Sequence, residues 1–262
     1  MDNYYTKRLI VFVDILGFKD KVKESVFPRE QFDRINKALR RIHKIKEYNY
    51  SKSFMNRQGD GFEVTTFSDN AVISCPACND NLFFLTLELI HLQLDLVPLG
   101  ILLRGGITIG DLYHDRDVVF GSAMNEAYYI ETKVAVYPRI VIRKSALDQC
   151  FANVANDEEL IGYMKSLIRR DLDDMWFIDF LKQSSEMDEP ADYYEWLLLM
   201  RDCIFKGLTN EDLSVQMKYQ WLRLYFNEVV CDDNLNLIPE EEITAEMIEY
   251  RNKLKALKIN DV

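Results

Sequence analysis

Two aspartates carry the clearest chemical signal in this chain. Asp14 follows Leu9 to Val13, a continuous apolar run rich in β-branched residues, and the stretch Asp14-Ile15-Leu16-Gly17-Phe18 reads as a buried strand ending in a turn. Asp69 stands in Ser68-Asp69-Asn70, a turn-forming cluster between the strand-like runs Phe62 to Phe67 and Ala71 to Cys75, which predicts a hairpin with a carboxylate at its tip. A carboxylate after a buried strand and another on an adjacent hairpin can converge on one point, and two hard oxygen ligands suit Mg²⁺ or Mn²⁺. Taken singly, each aspartate reads as a turn or cap residue; it is the pair that points to metal. Gly17 would let the backbone N–H groups of Ile15 to Phe18 approach phosphate oxygens.

Other polar residues carry less. Arg104 lies in Leu103-Arg104-Gly105-Gly106, inside the strand-like run Ile101 to Ile109, where its guanidinium fork suits a phosphate, with a surface or salt-bridged strand arginine as the alternative. Cys75-Pro76-Ala77-Cys78 has the spacing of a redox motif or half a zinc site, but there is no second CxxC. His43, His91 and His114 are not spaced to complete a site, so a strand end and a helix entry is the plainer reading. His91 lies beside an apolar stripe and reads as packing.

The elements that must hold these residues follow from periodicity. Phe32, Ile35, Leu39 and Ile42 after Pro28 mark an amphipathic helix, and Leu82, Leu85, Leu89, Leu92 and Leu96 mark a second, capped by Asn79 or Asp80. Leu112 to Phe120 continues as a strand pair around His114-Asp115-Arg116-Asp117, Gly121 opens a helix through about Thr132, and Pro138 to Arg143 is a further strand. This order predicts an α+β domain over residues 1–150, with helices packed on a mostly antiparallel sheet. Residues 151–262 read as a mainly helical C-terminal extension. Asp174 to Leu181 is a possible strand there, and Tyr193 to Phe205, Glu211 to Val230 and Thr244 to Leu257 are helical; Val215, Tyr219, Leu222, Phe226 and Val229 form one stripe.

Composition narrows the class. A chain of 262 residues that is 48% hydrophobic can bury a substantial core. Its net charge of −11 argues against a broad nucleic-acid-binding face, although a small anionic ligand remains allowed with local help from metal ions. Five scattered cysteines fit reduced thiols. The apolar runs are short or interrupted, as by Glu88, His91 and Asp95, and the N-terminus lacks the layout of a signal peptide. A cytoplasmic protein with no membrane partner is expected.

Three patches in this order resemble the catalytic domain of class III nucleotide cyclases, over about Arg8 to Ile142. Val11-Phe12-Val13-Asp14-Ile15-Leu16-Gly17-Phe18 is similar to that family's opening strand and metal-binding turn, and Thr66-Phe67-Ser68-Asp69-Asn70 to its metal-binding hairpin. Leu103-Arg104-Gly105-Gly106-Ile107-Thr108-Ile109-Gly110-Asp111, followed by Phe120-Gly121-Ser122-Ala123-Met124-Asn125-Glu126-Ala127, supplies the third. The resemblance implies a ferredoxin-like core and two Mg²⁺ or Mn²⁺ ions at Asp14, Ile15 and Asp69. It also implies substrate contact at Gly17 and Phe18, a phosphate-contacting Arg104, a ribose-orienting Asn125, and sites shared across a homodimer.

Departures from the family pattern refine the expectation. Thr65 stands where purine-specific members carry a base-reading lysine, and Val118 where adenylate-specific members use an aspartate. Loss of both polar readers argues against purine recognition by the usual code. The combination resembles the Pycsar pyrimidine cyclases of bacterial antiphage defence, which implies conversion of UTP or CTP to cyclic UMP or cyclic CMP and pyrophosphate. The product would act on a separate cyclic-nucleotide-sensing effector. Tyr129 occupies the place of the family's transition-state arginine, leaving that role to Arg139, to an arginine of a second copy, or unfilled. A purine cyclase with a rearranged base pocket and a cyclase-like module that only binds nucleotide are the alternatives.

Overall fold

The computed structural model describes residues 4–51, 61–77, 80–116, 118–232 and 242–260. Cys78 of the CxxC pair, the alternative cap Asn79, and Asp117 lie outside the described residues. Two compact units divide after Phe180.

The first unit is built on a sheet. Its strands are β1 (Thr6–Ile15), β2 (Glu63–Phe67), β3 (Asn70–Pro76), β4 (Leu103–Asp115), β5 (Val118–Phe120), β6 (Ile140–Ile142), β7 (Ile168–Arg170) and β8 (Trp176–Ile178). They run in the order β2-β3-β1-β4-β6-β8-β7, with β5 folded back onto β4. Every pairing is antiparallel except β4 with β6. The helices of this unit are α1 (Phe18–Glu24), α2 (Arg29–Ser51), α3 (Asn81–Leu96), α4 (Ser122–Tyr129), α5 (Lys144–Asn153) and α6 (Glu158–Ser166). The chain thus has the α+β class, mostly antiparallel sheet and packed helices that its sequence pattern predicts. Two strands that follow residue 150, β7 and β8, belong to this sheet.

Alternation on β1 sorts the sheet into two faces. Leu9, Val11, Val13 and Ile15 point one way and are fully buried. Ile10 and Phe12 point the other way, where they form a cluster with Val72, Leu112, Ala123 and Ala127, so α4 covers this face. Asp14, the penultimate residue of β1 rather than part of the turn after it, shares the α4 face.

The segment Asn81–Leu99 is apolar and long enough to cross a bilayer, although its internal charges were expected to rule that out. In this fold its Leu82, Leu85, Leu89, Ile90 and Leu92 are buried. Glu88 and Asp95 both meet Arg41 of α2, so two of the interrupting charges tie one helix to the next.

The second unit, 181–262, has α7 (Pro190–Leu208), α8 (Leu213–Cys231) and α9 (Ala245–Lys255). Leu222, Phe226 and Val229 of the anticipated stripe are buried. A Cβ on Gly207 would lie 2.0 Å from Cγ of Tyr219, so the missing side chain sets how closely α7 and α8 approach.

Candidate functional site

The antiparallel register of β1 and β4 places Asp14 directly opposite Arg104. One Arg104 Nη2 lies 3.1 Å from Asp14 Oδ2, and the same nitrogen is closer still to Oε1 of Glu131. Glu131 was not among the residues singled out from sequence. It comes immediately after α4, in a π turn over Ile130–Val134, and only 2% of its side chain is exposed.

Why the chain brings Glu131 here is a packing question. Gly106, two residues along β4 from Arg104, faces the turn; a Cβ there would lie 2.5 Å from Cβ of Ile130 and 2.7 Å from the carbonyl oxygen of Ala127. The bare backbone lets the end of α4 rest on the strand. The widened turn then carries Glu131 toward Arg104, in keeping with the frequent placement of such turns at functional sites.

Two carboxyl groups, Asp14 and Glu131, therefore share one guanidinium and a hydrogen bond with each other. Burial pushes the Asp14 carboxyl above its ordinary range; Arg104 opposes the shift and nearby Asp69 adds to it. Glu131 is pushed up to about 7 by burial and then by the charge of Asp14, again opposed by Arg104. Asp69 sits in the two-residue turn between β2 and β3, as the sequence predicts, next to Asn70, whose side-chain N–H lies 3.4 Å from Asp69 Oδ1.

A divalent cation fits this arrangement. Oδ1 of Asp14 is buried and has no hydrogen-bond partner, an uncommon and costly state for a carboxylate oxygen. Among the described residues no group of three or more His, Cys, Asp or Glu side chains is placed to hold a metal ion. A cation at Asp14 and Asp69 would thus complete its shell with water, the Ile15 carbonyl or ligand oxygens, as magnesium sites commonly do. Ile15 is buried and Gly17 adopts a left-handed φ of 71° just before α1 begins at Phe18.

The remaining expected residues do not join this cluster. Asn125 and Tyr129 are exposed on α4, and Val118 is exposed on β5. Thr65 on β2 ends a polar relay across the α4 face. Arg8 Nε donates to Ser74 Oγ at 2.8 Å, Ser74 Oγ and His114 Nδ1 are 2.8 Å apart, and His114 Nε2 and Thr65 Oγ1 are 3.0 Å apart. The Thr65 hydroxyl donates to the carbonyl of Arg116. No such partnership could be read from the spacing of His114.

Arg139 does not fill the role left by Tyr129. Its side chain is fully buried, its guanidinium grips Asp171 and Asp173, and Tyr137 and Phe177 lie against it at 5.1 and 5.9 Å. An arginine committed in this way is a structural pin rather than a group that reaches substrate.

No protein-family profile matches the chain, and no curated protein matches its sequence. Similar solved structures include a bacterial light-regulated adenylyl cyclase, at 18% identity and TM-score 0.41, over 56% of this chain and 45% of that one. The monomeric guanylyl cyclase domain of the RhoGC fusion protein from the aquatic fungus Blastocladiella emersonii is similar at 16% identity and TM-score 0.40, over 66% and 95%. The catalytic core of a rhodopsin-guanylyl cyclase with converted specificity, in complex with ATPalphaS, matches at 17% and 0.37, over 55% and 80%. This chain spans less than half the length of the light-regulated enzyme. Likenesses at this level do not place it in a family.

Proposed function

We propose that the chain is a pyrimidine nucleotide cyclase that converts UTP, or CTP, to the 3′,5′-cyclic monophosphate and pyrophosphate, with the catalytic domain in the first unit and a helical extension after it. The supporting observation is the buried, unpartnered Oδ1 of Asp14 beside the negative charge of Asp69, an electrostatic demand that a divalent cation meets. Two such ions, Mn²⁺ or Mg²⁺, held by Asp14, Asp69 and the Ile15 carbonyl, would supply charge neutralisation at the triphosphate and a lowered pKa for the attacking hydroxyl.

The chain's own groups would do the positioning. Arg104 and the N–H groups of Gly17 and Phe18 hold phosphate oxygens. The 3′ oxygen bonds to the α-phosphorus, the bond from that phosphorus to the bridging oxygen breaks, and the hydroxyl proton passes to solvent. Catalysis comes from orientation and charge stabilisation, without a dedicated general base. In a homodimer one copy gives Asp14, Asp69 and Arg104, and a second gives Asn125 to the ribose, Thr65 and Val118 to the base, and Tyr129 near the transition state. The exposure of Val118, Phe120, Tyr128 and Tyr129 favours that use of a second copy, since all four lie on or near the α4 face. The sequence resemblance supports a cytoplasmic setting and a product that signals to a separate effector in antiphage defence.

One observation favours a second reading, in which the domain binds nucleotide without turning it over: Tyr129 replaces an arginine and Arg139 is committed elsewhere. Incubation of the protein with each of the four ribonucleoside triphosphates and Mn²⁺, with products identified by mass spectrometry, separates the possibilities. Cyclic UMP or cyclic CMP is expected. Cyclic purine products alone overturn the pyrimidine assignment, and nucleotide binding with no product establishes the second reading.

A further inference from the structure

Glu131 lies outside every role assigned above, yet it is the most deeply buried charged group at the site. A carboxyl group in such a position is costly unless it is paired; Arg104 lies against it, and it also shares a hydrogen bond with the Asp14 carboxyl. That guanidinium also touches Asp14 at 3.1 Å, which sets up a competition: a cation arriving at Asp14 must displace an arginine that already neutralises it. The Arg104 nitrogen lies nearer Glu131 than Asp14, so it has a second partner to retain when Asp14 is taken. Two features built into the fold put that partner there, the π turn and the gap at Gly106 that accepts Ile130.

We infer that Glu131 is a positioning residue that holds Arg104 in reserve, so that a divalent cation can take Asp14 while the guanidinium stays at the site to meet phosphate. This rests on the reading of Asp14 as a cation ligand. Without Glu131 the arginine has Asp14 as its charged partner and competes for it directly; without Arg104 there is no competition, and Glu131 loses its purpose.

The test is a double-mutant cycle on the full chain, with Mn²⁺ alone as the probe and its affinity measured by electron paramagnetic resonance. Thermal melting shows that each variant is folded. Glu131→Gln keeps the shape and removes the charge. It should weaken Mn²⁺ about tenfold in the otherwise native chain and change it less than about twofold when Arg104→Met is also present. Glu131→Asp, which keeps the charge, should restore part of the loss and serves in the same cycle if the glutamine variant does not fold. An equal loss with and without Arg104 would mean that Glu131 acts on the cation itself, and no loss in the native background would mean that it does nothing; either overturns the inference. A native chain that binds no Mn²⁺ overturns this inference together with the metal reading of Asp14, whereas additive effects in a chain that does bind overturn the inference alone.

Discussion

At the scale of single residues, the site is two acids on one base with a third acid, Asp69, acting on Asp14 by its charge, and most of its behaviour follows from that imbalance. Asp69→Ala removes a proposed ligand from a half-buried turn position, where little packing is at stake, so the fold should survive while Mn²⁺-dependent cyclic nucleotide formation drops by at least about a hundredfold. Full activity in a folded Asp69→Ala protein would sink the metal assignment. Arg139 gives a separate prediction. Its hydrogen bonds to Asp173, followed by its charge, hold that carboxyl below its ordinary range. A depressed acid contributes stability above its unfolded pKa and loses it as pH falls through the folded one. Urea midpoints should therefore fall as pH is lowered below the usual carboxylate range, and Asp173→Asn should flatten part of that fall.

The places of Asp14 on a strand and Asp69 on a hairpin turn were legible from local pattern; the pairing of Asp14 with Arg104 was not, since it depends on the register of strands far apart in the chain. Glu131 was not singled out, although Ala123, Ala127 and Glu131 recur every four residues on the side that α4 turns to the sheet; what that spacing does not show is that Arg104 lies there. With a neutral imidazole, the relay to Thr65 has one consistent polarity. With the Thr65 proton spent on the Arg116 carbonyl, His114 Nε2 must donate, its Nδ1 accepts from Ser74, and Ser74 accepts from Arg8. A base that meets Thr65 therefore finds an acceptor.

Among the elements, α4 and its π turn decide whether the site exists. Gly106→Ala would drive a methyl into Ile130 and the Ala127 carbonyl, and should cost about 1–3 kcal/mol. Because the strain falls on the segment that carries Glu131, Mn²⁺ affinity should fall as well, which a stability loss elsewhere would not cause. A Gly106→Ala chain with native melting and native metal affinity would show that the close approach is dispensable. The long elements were legible from periodicity: β1, the β2–β3 hairpin, α2, α3 and the helices of the second unit. Strands of three residues, such as β7, carry too few positions to show alternation, so the sheet gained a strand that sequence reading assigned to no element. The expected end of the α+β domain near residue 150 had a related cause, because β8 joins the sheet by pairing with β6, which precedes residue 150, and β7 joins it by pairing with β8.

For the whole molecule, the central prediction concerns copies of the chain. Asp14→Ala and Asn125→Ala subunits, each inactive alone, should recover partial activity when mixed, since a heterodimer would keep one complete set of groups. No recovery in a verified heterodimer would count against shared sites. The placement of Asp14 and Arg104 has a further consequence. They stand on β1 and β4, which neighbour each other inside the strand order and have a strand on either flank, so neither lies at an edge. Backbone amides there open only with the sheet itself and should be among the slowest in the chain to exchange with deuterium. Asp14 and Arg104 are thus fixed to the least yielding part of the fold, and any switching of the site has to come from groups held elsewhere: Asp69 on its hairpin turn, α4 with the turn that carries Glu131, or a second chain.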